Sequence, residues 1–415
     1  MKINAGDTAW VMVSAALVLL MTPGLALFYG GMVRAKNVLA MLMQNFICMG
    51  LIGVLWAVCM YSLAFSGTNK WIGNFDLAFL DGANTTAATG FGIYPIPPLS
   101  FSAFQMMFAI ITPALITGAI ADRMRFSAWV WFVGLWALVV YTPIAHWVFS
   151  PAGWLFRRGA LDFAGGTVVH INAGIAALVA VLVIGRRRGW PGHPTPPHSL
   201  PLTLLGTGLL WFGWFGFNAG SALAANGIAA QAFMNTTLAA STAMLGWLLF
   251  ERIRHKHATT LGAASGAVAG LVAITPCAGF VGPMASIAIG FIAGAICYFA
   301  VSVKFKFGYD DALDVVGVHL VGGLVGSLLL GLFADRAFNP GVVHQGVFVN
   351  GSWELMGDQL IAVVATLLWS GVLTFVILKV LHLVIPGGLR VSDEDEQTGL
   401  DLTQHSETGY AYDRV

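Results

Sequence analysis

The sequence predicts an all-α integral membrane protein of eleven transmembrane helices arranged as an inverted five-plus-five repeat. Three observations carry that prediction. Of 415 residues, 58% are apolar and 9% are charged, with a mean hydropathy of +0.80; soluble domains carry roughly a quarter charged residues. Apolar runs of the roughly 20 residues needed to cross a bilayer recur along the chain. A seven-residue segment around His170 recurs around His319, half a chain later.

The runs lie at 8–31, 38–65, 100–121, 126–149, 165–185, 200–220, 229–250, 259–276, 283–303, 314–333 and 358–384. The first is too long for the roughly 7–15-residue core of a signal peptide, and only Lys2 precedes it, so it reads as a membrane helix. The Gly-rich eighth run has indistinct ends. The stretch 66–99 carries GTN, NTT and PIPP and reads as a surface loop, as does 334–357. The membrane domain therefore spans 1–385: a first repeat at 8–185, a second at 200–333, and an eleventh helix at 358–384. After Pro386 the chain changes character, with seven acidic residues, two arginines and no long apolar run. That tail, 386–415, is either a solvated extension or a docking and regulatory segment.

Charge placement orients the spans. Loops after odd-numbered helices hold twelve Lys and Arg residues, and Lys379, Arg390 and Arg414 bring that side to 15 of 20. The positive-inside rule then puts the N-terminus outside and the C-terminus in the cytoplasm. A net charge of +1 gives no basic face for nucleic acid. Cys48, Cys59, Cys277 and Cys297 lie in or beside apolar spans, with neither a disulfide framework nor a metal-ligand spacing, so no metal or cofactor is expected.

The repeat aligns Val169-His170-Ile171-Asn172-Ala173-Gly174-Ile175 with Val318-His319-Leu320-Val321-Gly322-Gly323-Leu324. Five spans per half is an odd number, so the second half must insert upside down relative to the first. Inverted repeats place functional sites near the midplane. A titratable side chain in a lipid-buried helix marks a substrate path or relay by default. Across the pseudo-twofold axis His170 and His319 would meet, and two adjacent imidazoles in low dielectric cannot both be charged. Such a pair offers a donor and an acceptor to a small polar guest, or a proton relay. Two separate histidines bonded to backbone, or a pair of haem ligands, are the alternatives.

Other residues form a second constellation. Phe104 and Phe108 lie one turn apart on helix three. Phe149 ends helix four, and Phe217 and Ser221 end helix six. An aromatic cup with one hydroxyl suits a small cation, although most of the 28 phenylalanines must be packing or lipid contacts. Asp162, followed by two glycines at the mouth of helix five, reads as a cap for orphan backbone N–H groups. Asp314, ahead of helix ten, reads the same way.

These segments resemble the ammonium transporter (Amt/Mep/Rh) family, in its bacterial Amt branch. The resemblance is carried by DFAGGTVVHINAG (162–174), FYGGMVRAKN (28–37), ADRMRFSA (121–128), PIAHWV (143–148), GWFGFNAGS (213–221) and GVH (317–319). It continues in GLRVS (388–392) and GLDLTQHSETGY (399–410). It implies a homotrimer in the cell (inner) membrane with one pore per subunit. It assigns twin pore histidines to His170 and His319, and an outer ammonium site to Phe104, Phe149 and Ser221. It assigns a stacked gate to Phe108 and Phe217, a structural aspartate to Asp162, and a pore-lining tryptophan to Trp214. The tail resembles the segment that answers to PII-type nitrogen-signalling proteins. Phe149 departs from the tryptophan usual in many Amt chains, which leaves Trp147 or Trp154 as alternative contributors. The expected activity is capture of ammonium (or methylammonium) and passage of ammonia, not enzymatic turnover. An ammonium sensor signalling through the tail is the rival reading.

Overall fold

The computed structural model describes residues 2–83, 94–193 and 195–410. The NTT triplet of the 66–99 loop and Arg414 lie outside the described residues. Among the described residues ten helices are long and apolar enough to cross a membrane: α1 (Ala5–Met32), α2 (Ala35–Phe65), α3 (Pro98–Ile120), α4 (Phe126–Arg158, broken after Phe149), α5 (Gly166–Ile184), α6 (Leu200–Ala222), α7 (Gly227–His255), α9 (Pro283–Phe307), α10 (Val316–Phe333) and α11 (Glu354–Val384). The eleventh, α8 (Thr260–Ile274), is a shorter apolar helix. It fills the Gly-rich run whose ends the sequence left indistinct. Among the described residues there are no β-strands, only a single bridge between Met124 and Arg390. Helix starts follow capping chemistry: Ser199, Asn226 and Thr259 each accept a backbone N–H from the first turn of α6, α7 and α8.

α1 packs along α6, α7 against α8 and α9, and α5 against α3, α10 and α11. α3 is the most enclosed span, with Phe104, Phe108, Ile111 and Leu115 all buried. Where α5 and α10 cross, both helices open into a π-helical turn, Gly166–Ile171 and Val316–Leu320. One extra residue per turn re-aims side chains, which is why such turns recur at functional sites. Each of these two turns holds one histidine of the repeat.

The tail is docked. Asp393–Thr398 (α12) and Leu400–His405 (α13) follow a stretch where the Arg125 N–H donates to Leu389 O and the Val391 N–H to Arg123 O. The Ser392 hydroxyl and the Asp395 carboxylate cap α12 reciprocally. Asp401 accepts the Ala40 N–H at 2.8 Å, Asn37 accepts the Leu400 N–H at 2.8 Å, and Glu396 receives Arg390 at 2.6 Å. The acidic residues that suggested a solvated extension are therefore partly spent on holding the tail to the bundle. Arg123 beneath it is fully buried and donates to Gly185 O, Ala121 O and Asp310 O; burial lowers its guanidinium to about 10.

Candidate functional site

The mouth of α5 is built by one carboxylate. Asp162 Oδ1 accepts the N–H groups of Gly165 and Gly166 at 2.8 and 2.7 Å, and Oδ2 those of Thr167 and Val168 at 2.8 and 3.2 Å. Four orphan donors of a helix start are satisfied at once. Gly165 sits at φ +122°, a backbone state that disfavours any side chain, and its carbonyl accepts both the Val169 and His170 N–H groups.

The corresponding expectation for Asp314 is corrected. Asp314 is partly exposed and pairs with Lys304 at 2.6 Å. The cap on α10 is Asp311, whose oxygens accept the Val315 and Val316 N–H groups at 3.1 and 2.7 Å. Burial pushes the Asp311 carboxyl up to about 6. Register was the overlooked signal: Asp162 lies eight residues before His170 and Asp311 eight before His319, whereas Asp314 lies five before. Five residues do not leave room for the loop that returns the carboxylate to the first turn.

His170 and His319 meet side by side. Their Nδ1 atoms are 3.3 Å apart and the rings lie within 21° of parallel. A hydrogen bond across that gap requires one Nδ1–H donating to the other Nδ1, which is opposite tautomers in the two rings. An iron with its porphyrin does not fit between nitrogens already in hydrogen-bond contact, which removes the haem alternative. The separate-histidine alternative also falls. His170 Nε2 is buried with no protein partner among the described residues. Trp214 lies flat against His170, with ring centroids 5.5 Å apart, and donates its indole N–H to Thr275 Oγ1 at 2.9 Å. Thr275 escaped sequence reasoning because nothing in its local pattern links α8 to α6.

Next to the histidines the aromatics cluster, with the expected stacked gate replaced by rings tilted 41° to each other at Phe108 and Phe217. Phe108 and Phe217 have centroids 4.5 Å apart, and both are buried. Phe104 contacts Phe108 edge-on at 4.9 Å, and Phe149 contacts Phe108 edge-on at 6.4 Å. Ser221 donates to Phe217 O at 2.8 Å, one residue beyond Gly220, whose added Cβ would lie 2.9 Å from the Phe104 ring. Trp147 is committed elsewhere: its indole N–H donates to Trp71 O at 2.7 Å, within a cluster with Trp71, Trp154 and Trp369. Below the phenylalanines, His170, His319, Trp214, Phe217, Ile111 and Leu210 line one narrow, mostly apolar cavity.

Comparison with known proteins bears on the family of the chain. The sequence model of the Ammonium Transporter Family matches residues 9–410. An ammonium transporter of Mycobacterium tuberculosis is 52% identical over 99% of this chain and 91% of its own length. One from Bacillus subtilis is 50% identical over 98% of each. The crystal structure of Candida albicans Mep2 superposes with a TM-score of 0.88 at 33% identity, covering 95% of this chain and 88% of that one. A sensor Amt protein superposes with a TM-score of 0.87 at 30% identity, covering 96% and 98%. This is a family of membrane transporters rather than enzymes, and the chain, a multi-pass membrane protein, belongs to the ammonium transporter family.

Proposed function

We propose that the chain conducts ammonia through its own bundle, taking ammonium at an outer cup of Phe104, Phe149 and Ser221. Neutral ammonia then passes between Phe108 and Phe217 and hydrogen-bonds to His170 and His319. The observation that carries this reading is the imidazole pair beside two closely packed, mutually tilted phenylalanines, with a buried His170 Nε2 that has no partner among the described residues. A bare cation cannot cheaply enter that apolar segment. Ammonium can leave its proton at the cup, whereas potassium has none to leave, so the dry segment selects between them. The proton either returns outside or follows along the histidines. The protein sits with its N-terminus outside and its C-terminus in the cytoplasm of a cell (inner) membrane, as a homotrimer whose docked tail meets a PII-type protein.

Methylammonium flux with simultaneous current recording on proteoliposomes tests the scheme. Flux without current assigns a gas channel, and flux with current a proton path. The double variant H170A/H319A is expected to alter flux at least tenfold while leaving the fold intact; unchanged flux would remove the pair from the path. The likeness to a sensor Amt protein supports a second reading, ammonium sensing through the tail. Retained binding with no flux in the wild-type chain would favour it.

Phe149 gives a graded test. Tryptophan is the stronger cation partner and adds an N–H donor. Phe149→Trp is expected to lower KM for methylammonium severalfold, since about 1 kcal/mol of cation–π gain is about a fivefold change. Maximal flux should stay within twofold. An unchanged KM would place the cation away from Phe149.

A further inference from the structure

α4 holds a histidine that the transport scheme does not use. His146 lies in the last turn before the helix breaks, within Thr142–Phe149, and is fully buried. Its Nδ1 stands 2.8 Å from Ala64 O and its Nε2 2.7 Å from Asn69 O. Both partners are backbone carbonyls, which only accept. A neutral imidazole has one N–H and one lone pair, so it can answer one of them. Both contacts are hydrogen bonds only when both nitrogens carry a proton. Flipping the ring does not escape the requirement. It would set ring carbons at the distances the nitrogens now hold, well inside the roughly 3.3–3.6 Å of a C–H···O contact. A neutral ring in the present orientation would aim a lone pair at a carbonyl oxygen inside a dry site.

No carboxylate supplies a counter-charge: none lies within 4.0 Å of His146 among the described residues. Dipoles meet the charge instead. Ala64 O belongs to the last turn of α2, which ends at Phe65, and His146 itself sits in the last turn of α4 before its break. Carbonyls left over at a helix C-terminus, and the negative end of the helix dipole, both favour a cation. Two such ends converge on this one ring. Separations of 2.7 and 2.8 Å are those of charge-assisted bonds.

The bonds tie down one segment. Residues 64–71 leave α2 with carbonyls that α4 answers with donors. Besides His146, the Trp147 indole N–H donates to Trp71 O at 2.7 Å, the Trp154 N–H to Lys70 O at 3.1 Å, and Arg157 to Thr68 O at 3.4 Å. The charged groups on this segment and its partner helix are Lys70 and Arg157, both exposed and so screened by water. His146 is the buried centre of the set, and Phe149 follows it by three residues in the same turn.

We propose that His146 is a buried imidazolium and a positioning residue for the outer cup: its two N–H groups clasp segment 64–71 to α4 and hold the turn that presents Phe149. The charge rests on geometry alone, and its effect on transport rests on the cup described under the proposed function.

The test uses the full chain in lipid vesicles, with ¹⁵N in histidine and ¹³C at the asparagine carbonyls, read by solid-state NMR. Contact between a ring nitrogen and the Asn69 carbonyl carbon picks His146 out of the ten histidines without any substitution. Both nitrogens of that ring are expected to carry a proton, and a lone pair on either overturns the proposal. Methylammonium uptake by H146Q, which is uncharged and donates through a single nitrogen, is measured beside Phe149→Trp. KM in H146Q is expected to rise about threefold or more, with maximal flux within about twofold of wild type. A KM unmoved in H146Q while Phe149→Trp shifts it overturns the positioning role. A KM unmoved in both, with both nitrogens protonated, sustains the clasp and counts against the cup reading alone. Should H146Q not fold, the wild-type spectrum still decides.

Discussion

Alanine at position 162 is expected to cut methylammonium flux below a tenth of wild type and to lower the melting temperature of the purified protein. The reason is a count of donors. The Asp162 carboxylate satisfies four consecutive backbone N–H groups, of Gly165, Gly166, Thr167 and Val168. Each buried donor left without a partner costs about 1–3 kcal/mol, so four approach the whole net stability of a typical domain, about 5–15 kcal/mol. No lipid oxygen can replace the carboxylate at membrane depth. The chain would rearrange instead of tolerating the loss, and the segment that rearranges is the π-helical turn Gly166–Ile171, which holds His170. Asp162→Asn keeps one carbonyl oxygen, which serves two donors, and turns an amide N–H₂ towards the other two. Its flux and melting temperature should fall between those of alanine and wild type. Wild-type flux and melting in Asp162→Ala would show that the cap is dispensable. A loss of flux with unchanged melting would assign Asp162 a direct part in transport.

The eleven spans, their order and most of their limits could be read in the sequence because bilayer thickness imposes a length that soluble helices do not obey. The run at 126–149, for example, coincides with α4 up to its break after Phe149. The meeting of His170 and His319 was legible too, since an inverted repeat brings equivalent positions to its axis. Other features were less accessible. Asp314 stands nearer α10 in sequence and so reads as its cap, but backbone return in the loop decides capping, and Asp311 makes it. Thr275 holds the Trp214 indole from another helix, and no local period announces such a contact. The tail could not be assigned from composition alone. Its acids look solvated until Arg390, Ala40 and Asn37 are seen to meet Glu396, Asp401 and Leu400.

A glycine shared by both halves of the repeat leads to the second strong prediction. Gly174 and Gly323 occupy the same register, four residues after their histidines, and both face the crossing of α5 with α10. Their surroundings differ. A Cβ on Gly174 would lie 2.5 Å from Leu320 N and 2.6 Å from Leu320 Cα, both backbone atoms that cannot swing aside. A Cβ on Gly323 would lie 3.0 Å from Ile171 Cγ1 and 3.1 Å from His170 Cβ and Gly166 O, a contact eased in part by rotation of a side chain. Gly174→Ala therefore has to part the two helices, and overpacking in a close-packed interior costs about 1–3 kcal/mol or more. Parting them lengthens the 3.3 Å Nδ1–Nδ1 contact of His170 and His319, which is already at the outer limit of a hydrogen bond. Flux in Gly174→Ala should fall at least tenfold, with a lower melting temperature. Gly323→Ala should keep more than half the wild-type flux, with a small shift in melting. Equal effects at the two positions would mean that the halves yield alike and that close backbone approach does not set the histidine pair. A harmless Gly174→Ala would mean that the crossing is looser than the backbone distances require, and the shared glycine would then need a reason other than helix contact.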